Sequence, residues 1–396
     1  MGANALRTRL ICSLVAAGGS GLAADAQAGT PDSIFRNGFE FVSVFAPHDP
    51  QVLENHGVLP PVDPDSGTFR IKCAFSHGNY DDPIVYPAQT ERAHLHVYFG
   101  NQLAGASSTA DSLANNGGST CQGGYLNRSA YWVPALLARR YDPMGNALRD
   151  GSGNPVFDHV TPAATGTPHS QPDIYYKAAT SSLANVQSMP RGLRFIAGDM
   201  HATAANPSQR GQHRWSCERW PPGTPHQLSI PECPIGDVVN LMILFPMCWN
   251  GVDLDVPNHM SHMSNVVAEP NGSGGWNLVC PSSHPVVLTQ VSYNLGYAVT
   301  AANAHPNGTS RGWRLASDMY DTEQYPGGHS AHGDWFMAWN PEVMDTFVRH
   351  CIRAGRHCSN GDLGNGWRLL GPFSGSGTMP PIVRCGLGPW GMPSCR

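Results

Sequence analysis

The stretch ERAHLHVYFGN, residues 91–101, sets two histidines one position apart in a run that reads as a β-strand. Strand side chains alternate between faces with period two. Arg92, His94, His96 and Tyr98 therefore share one face, and Ala93, Leu95, Val97 and Phe99 the other. The second face is core-forming. The first is either a polar stripe or the floor of a site. Outward from this stretch the chain repeats the pattern in FRIKCAF, GLRFIAGDM, VVNLMILFPMCW, VVLTQVSYNLGYAV, GWRLASDM and DWFMAWN. Each run is bounded by Gly, Pro, Asn or Ser clusters, as in all-β chains. The expected fold is mainly β, an antiparallel β-sandwich or jelly roll with long disulfide-tied loops and one or two peripheral helices.

Two segments read as helical. NRSAYWVPALLARR, residues 127–140, has a capping Asn127 or Ser129, with Pro134 limiting or kinking the helix. NPEVMDTFVRHCIRAG has Asn340 as cap, Pro341 in the first turn, Val343, Phe347 and Cys351 at helical spacing, and Gly355 as a stop. The connections 101–126 and 142–172 are long enough to be functional or covering segments.

The 396 residues suffice for one large core. Charged residues make up 13%, and Gly (44) and Pro (34) are abundant, alongside ten Trp, thirteen Phe and twelve Tyr. This is a chain of turns and ordered loops rather than a disordered one. With 24 Lys plus Arg, no basic cluster and a net charge of −5, nucleic acid is not an expected partner. Residues 1–28 run from a basic start through a short apolar stretch to AQA before Gly29, the pattern of a removed export signal. No later segment is long and apolar enough for a membrane span. The expected division is a signal at 1–28, an arm at 29–68 and one β-rich domain at 69–396, in a secreted, extracellular or periplasmic protein. Beyond Cys12, ten cysteines remain: Cys73, Cys121, Cys217, Cys233, Cys248, Cys280, Cys351, Cys358, Cys385 and Cys395. An even count in an exported chain suggests five disulfides, with Cys351/Cys358 and Cys385/Cys395 suggested by proximity alone.

The eighteen histidines gather in short polar clusters. His77 stands with Asp81 and Asp82; His259 with His262; His284 stands in CPSSHP; His329 and His332 precede Asp334; Asp318 and Asp321 share LASDMYD. A His-x-His on a strand can aim two imidazoles at one ion, or form a polar stripe beside a loop. The i, i+3 pairs His259/His262 and His329/His332 share a side only if the backbone is helical there. Asp334 can ligate, orient an imidazole, or end a loop.

The blocks CAFSHGNYDDPIV, HLHVYFGN, RWSCE, IPECPIGDVVNLMILFPMCWNGVDLDVPNHMSHM, CPSSHPV, SDMY and GGHSAHGDWFMAWNPE resemble, in order, those of the domain-of-unknown-function family numbered nineteen-ninety-six. That family occurs in secreted fungal and bacterial proteins, and the resemblance covers residues 73–358. It implies kinship and export, and assigns no chemistry. The residues it carries over are His77, Asp82, His94, His96, Glu218, His259, His262, His284, Asp318, His329, His332 and Asp334.

Three readings stay open. One is an enzyme on a polysaccharide or cell-wall glycan, a lyase or hydrolase using Arg92, His94, His96, Tyr98, His259, His262, His329, His332 and Asp334, or a carboxylate pair from Asp82, Glu218, Asp318 and Asp334. The second is a divalent metal centre (zinc, copper or calcium) of hydrolase or oxidase type on His94, His96 and His332. The third is a non-catalytic glycan- or wall-binding protein whose histidines fasten loops.

Overall fold

Apolar positions on the predicted strands build a shared core between two sheets that close on one another. The computed structural model describes residues 43–62, 67–162, 172–322, 324–382, 385–387 and 393–395. The expected export signal and the first part of the expected arm lie outside the described residues, as do the side chains of Cys385 and Cys395, so the suggested Cys385/Cys395 pair does too.

One sheet has five antiparallel strands in the order Phe75–Asn79, His96–Gly100, Ala130–Pro134, His332–Phe336, Arg194–Gly198. The other has six, in the order His213–Cys217, Val238–Leu244, Gln290–Ala298, Asp173–Lys177, Thr68–Lys72, His357–Cys358, antiparallel except for the last pairing. The main core lies between them. Val97, Phe99, Tyr131, Val133, Phe195 and Trp335 of the first sheet meet Ile71, Tyr176, Leu241, Ile243 and Tyr293 of the second. Gly333 marks a close approach, since a Cβ there would come within 3.1 Å of Ile243 and Tyr293. The fold is mainly β, an antiparallel sandwich.

Because side chains alternate, the opposite face of the five-stranded sheet is left outside the sandwich. It carries a second, smaller core of Tyr98, Ala130, Trp132, Ile196 and Phe336, roofed by Ile84, Ala104 and Leu113 from the loops. The long 101–126 connection is therefore a cover, with a short helix, Ala110–Asn115, capped by Thr109.

Residues 127–140 are not helical. They form the strands Ala130–Pro134 and Leu136–Arg139, and every residue of both is buried. With both faces covered no polar side exists to show a period, and Pro134 lacks the N–H a helix interior needs. The second helical segment does form, as Pro341–Phe347 followed by a wider turn, Val348–Arg353, with Asn340 accepting from the N–H groups of Glu342 and Val343. Val343, Phe347 and Cys351 are its buried stripe, and Phe347 stacks on Phe69 with ring centroids 4.2 Å apart.

Among the described residues four disulfides join Cys73–Cys121, Cys217–Cys233, Cys248–Cys280 and Cys351–Cys358. Among the described residues no helix is long and apolar enough to cross a membrane.

Candidate metal centre

The outer face of the five-stranded sheet is built in rows. One row crosses all five strands: His77, Tyr98, Trp132, Asp334, Ile196. Tyr98 lies flat between His77 and Trp132, at centroid distances of 4.8 and 5.2 Å. In the next row His96 pairs with Pro134, and His332 with Gly198. His96 and His332 lean toward each other over the Pro134 strand, with rings 6.0 Å apart. His94, just before its strand begins, brings its ring to 4.2 Å from His96 and 5.0 Å from His332. One ring nitrogen from each of the three lies within 4.8 Å of the others.

The chain sets the tautomers. Nδ1–H of His96 donates to the Asp81 carbonyl at 3.0 Å, and Nδ1–H of His332 to the Ser330 carbonyl at 2.8 Å. Each Nε2 is then left with a lone pair, the state in which an imidazole ligates a metal. Nε2 of His94, His96 and His332 and both carboxyl oxygens of Asp334 are buried with no hydrogen-bond partner among the described residues. Buried polar atoms left unmet cost about 1–3 kcal/mol each, so a fold seldom collects five without a use. Asp334 Oδ2 is 3.8 Å from His332 Nε2, and Asp82, His96 and Asp334 form a second, overlapping trio.

Electrostatics agree. Burial, then the neighbouring imidazoles, holds His94 well below its usual range and His96 at about 3. Burial against the pull of the Ser330 carbonyl leaves His332 at about 4. All three are neutral at pH 7 and fit to ligate. Burial raises Asp82 to about 6, opposed by the Val85 and Ile84 N–H groups, and burial beside Asp82 raises Asp334 well above a normal carboxyl. A cation among them would reverse the penalty on both carboxylates. Three imidazoles with a carboxylate suit zinc or copper; calcium takes oxygen donors and does not fit. The trio Cys217, Cys233, Asp237 offers no such site, its sulfurs being joined in a disulfide.

The other expected residues stand elsewhere. Arg92 is exposed over the ring of Tyr86, because the chain turns at Glu91 with φ of 57° and bends at Ala93 before the strand begins at His96. The Tyr98 hydroxyl donates to the Asp81 carbonyl at 2.8 Å, and burial raises its pKa well above 10.0, so it is a wall rather than a proton carrier. His259 bonds to Asp255 at 2.8 Å, from a backbone with φ of 54°. His262 bonds to the Arg194 carbonyl, and His284 to that of Ser261. His329 sits against Tyr320, 6.0 Å between centroids, apart from the three clustered rings. Glu218 accepts from Asn240 on the six-stranded sheet. Asp318 is a brace: it accepts from Leu315 N, Gly328 N and Ser330 Oγ, fixing the turn whose Ser330 carbonyl orients His332.

Three contributors carried no sequence signal that singled them out. They are the carbonyls of Asp81 and Ser330, and His201, whose nearness helps to lower the pKa values of His94 and His332.

Sandwich and site together define a disulfide-tied β protein with a buried His/Asp centre on the outer face of one sheet. Residues 82–339 match the model of the domain of unknown function DUF1996, and the chain belongs to that family. No curated protein and no solved structure matches the chain.

Proposed function

We propose that the protein is an exported metalloprotein whose centre binds one zinc or copper ion through His94, His96 and His332, with Asp334 beside it, and that the centre is of hydrolase or oxidase type. The observation carrying this reading is the convergence of three neutral imidazoles, each with an unmet Nε2, within a buried shell that also holds an unmet carboxylate. Three protein ligands is the donor count of catalytic zinc sites, where structural sites close with four. A bound ion would supply Lewis acidity or redox chemistry. The chain supplies orientation through Asp81 and Ser330, dryness through Tyr98 and Trp132, and a carboxyl at Asp334 able to hold a proton. Export is supported by the N-terminal pattern and four disulfides.

The test is metal analysis of protein purified without histidine tags or chelators, with thermal melts across zinc and copper titrations. One ion per chain is expected, with stabilisation of about 2.7 kcal/mol when metal stands at ~100 times its Kd. His96→Ala and His332→Ala should abolish both. A wild-type protein that neither retains nor responds to either ion overturns the reading.

Glycan binding has support of its own. Trp276 is 66% exposed on the hairpin Val267–Pro270/Trp276–Val279, sharing a face with Leu278 and Pro270, a platform suited to sugar stacking. It is compatible with the metal reading.

A further inference from the structure

A cavity borders the outer face of the five-stranded sheet at Ile196. Ile196 ends the row that holds Asp334, and Gly198, the ladder partner of His332, donates its N–H to the Gln212 side-chain oxygen at 2.9 Å. Ile196 and Gln212 line a cavity of about 210 Å³ together with Arg210, Met260, Met263 and Asn265. Its walls divide by chemistry. Ile196 and Met263 are buried apolar groups, and Met260 packs against the same outer core. Gln212, with its oxygen already occupied by Gly198, has its NH₂ left to donate. Arg210 is exposed, pairs with no carboxylate among the described residues, and is the one charged group in the lining.

We infer that this cavity takes a carboxylate-bearing sugar residue, a hexuronate unit of an acidic glycan. The assignment of the cavity as substrate pocket to the histidine centre rests on the metal reading above. An unpaired guanidinium matches a carboxylate in fork geometry. Methionine and isoleucine walls suit the C–H face of a sugar ring, whereas the amides of Gln212 and Asn265 suit its hydroxyls. A lining without a carboxylate gives nothing to a cationic ligand, and one with so many polar groups gives little to a fatty acid. The volume is that of one ring rather than of a chain, so neighbouring units would lie outside.

The experiment is calorimetric titration of intact protein with trigalacturonate, a neutral galactotriose and hexanoate, at low and high salt, before and after chelator treatment. Trigalacturonate should bind at least about tenfold more tightly than either control, in line with a charge-assisted contact. Arg210→Ala should remove that preference without changing metal content, and Arg210→Lys should restore part of it. Equal binding of neutral and acidic sugars, or an Arg210→Ala protein that binds as wild type does, overturns the inference. Hexanoate binding as tightly as the uronide overturns the sugar assignment. Because binding and metal content are read separately, uronide binding by a protein that takes up no metal sinks the metal reading alone.

Discussion

At Asp82 one carboxyl oxygen accepts from the N–H groups of Ile84 and Val85, at 2.8 and 2.9 Å, while the residue is 1% exposed. The two hydrogen bonds favour the anion and burial disfavours it; burial wins, and the pKa rises from 3.8 to about 6. The folded state therefore binds more protons than the unfolded one between these values, and wild-type stability falls as pH rises through the window. Asparagine keeps both acceptor contacts and cannot ionise. In chelator-stripped protein, Asp82→Asn should gain on wild type between pH 4 and pH 6 by up to about 3 kcal/mol, then hold a constant advantage. Urea denaturation across that range measures it, and a pH-independent difference would mean the carboxyl is not held in a dry setting. At this scale His94 and His96 were legible from the period-two pattern, which holds back to His94 just before the strand and fails at Arg92 beyond the bend at Ala93. Asp81 was not: it acts through its backbone carbonyl, which every residue has.

The five-stranded sheet supplies a prediction of its own at Gly198. Its φ is +99°, and a Cβ there would stand 2.3 Å from the Ala331 carbonyl and 2.6 Å from the His332 Cα. Gly211, on the same connection, has φ of +63° and nothing within 4 Å. Gly211→Ala should cost roughly 1–2 kcal/mol, the left-handed backbone penalty alone. Gly198→Ala must in addition push the His332 strand aside, and should cost roughly 4 kcal/mol and lose metal with it. Denaturation midpoints and metal content of the two variants check this; equal costs would show that the approach to His332 is not tight. Elements were unevenly readable. Half-buried strands and the Asn340-capped helix showed their periods, whereas Ala130–Pro134, buried on both faces between two cores, showed none. The pairs His259/His262 and His329/His332 could not be placed, since i, i+3 spacing gathers side chains only on a helical backbone; the first pair lies in a bend and turn, and in the second His329 is in a turn while His332 opens a strand.

Across the whole molecule the disulfides divide by what they hold. Cys73–Cys121 closes 48 residues and fastens the 101–126 cover to the junction between the two sheets; Cys351–Cys358 closes seven at the end of the helix. On loop-closure entropy, removing the first pair costs about 4 kcal/mol and the second about 2. Paired Cys→Ala variants compared by thermal melting test that order, and the first should also loosen the cover over Tyr98 and Trp132. Unreduced alkylation should leave all eight of these cysteines unlabelled. The residues alone determined the β class, the capped helix, the membership of Cys351 and Cys358 in one short loop, and the shared direction of His94 and His96, because these follow from local periodicity and short-range geometry. The set His94, His96 and His332 could be named from sequence as one candidate among several; only the tertiary structure brings the His332 ring beside the other two and leaves those of His259, His262, His329 and Arg92 elsewhere. It also decided that the site lies outside the sandwich rather than within it. Those outcomes depend on which strands become neighbours in the sheet, and strand order is set by packing between segments far apart in the chain.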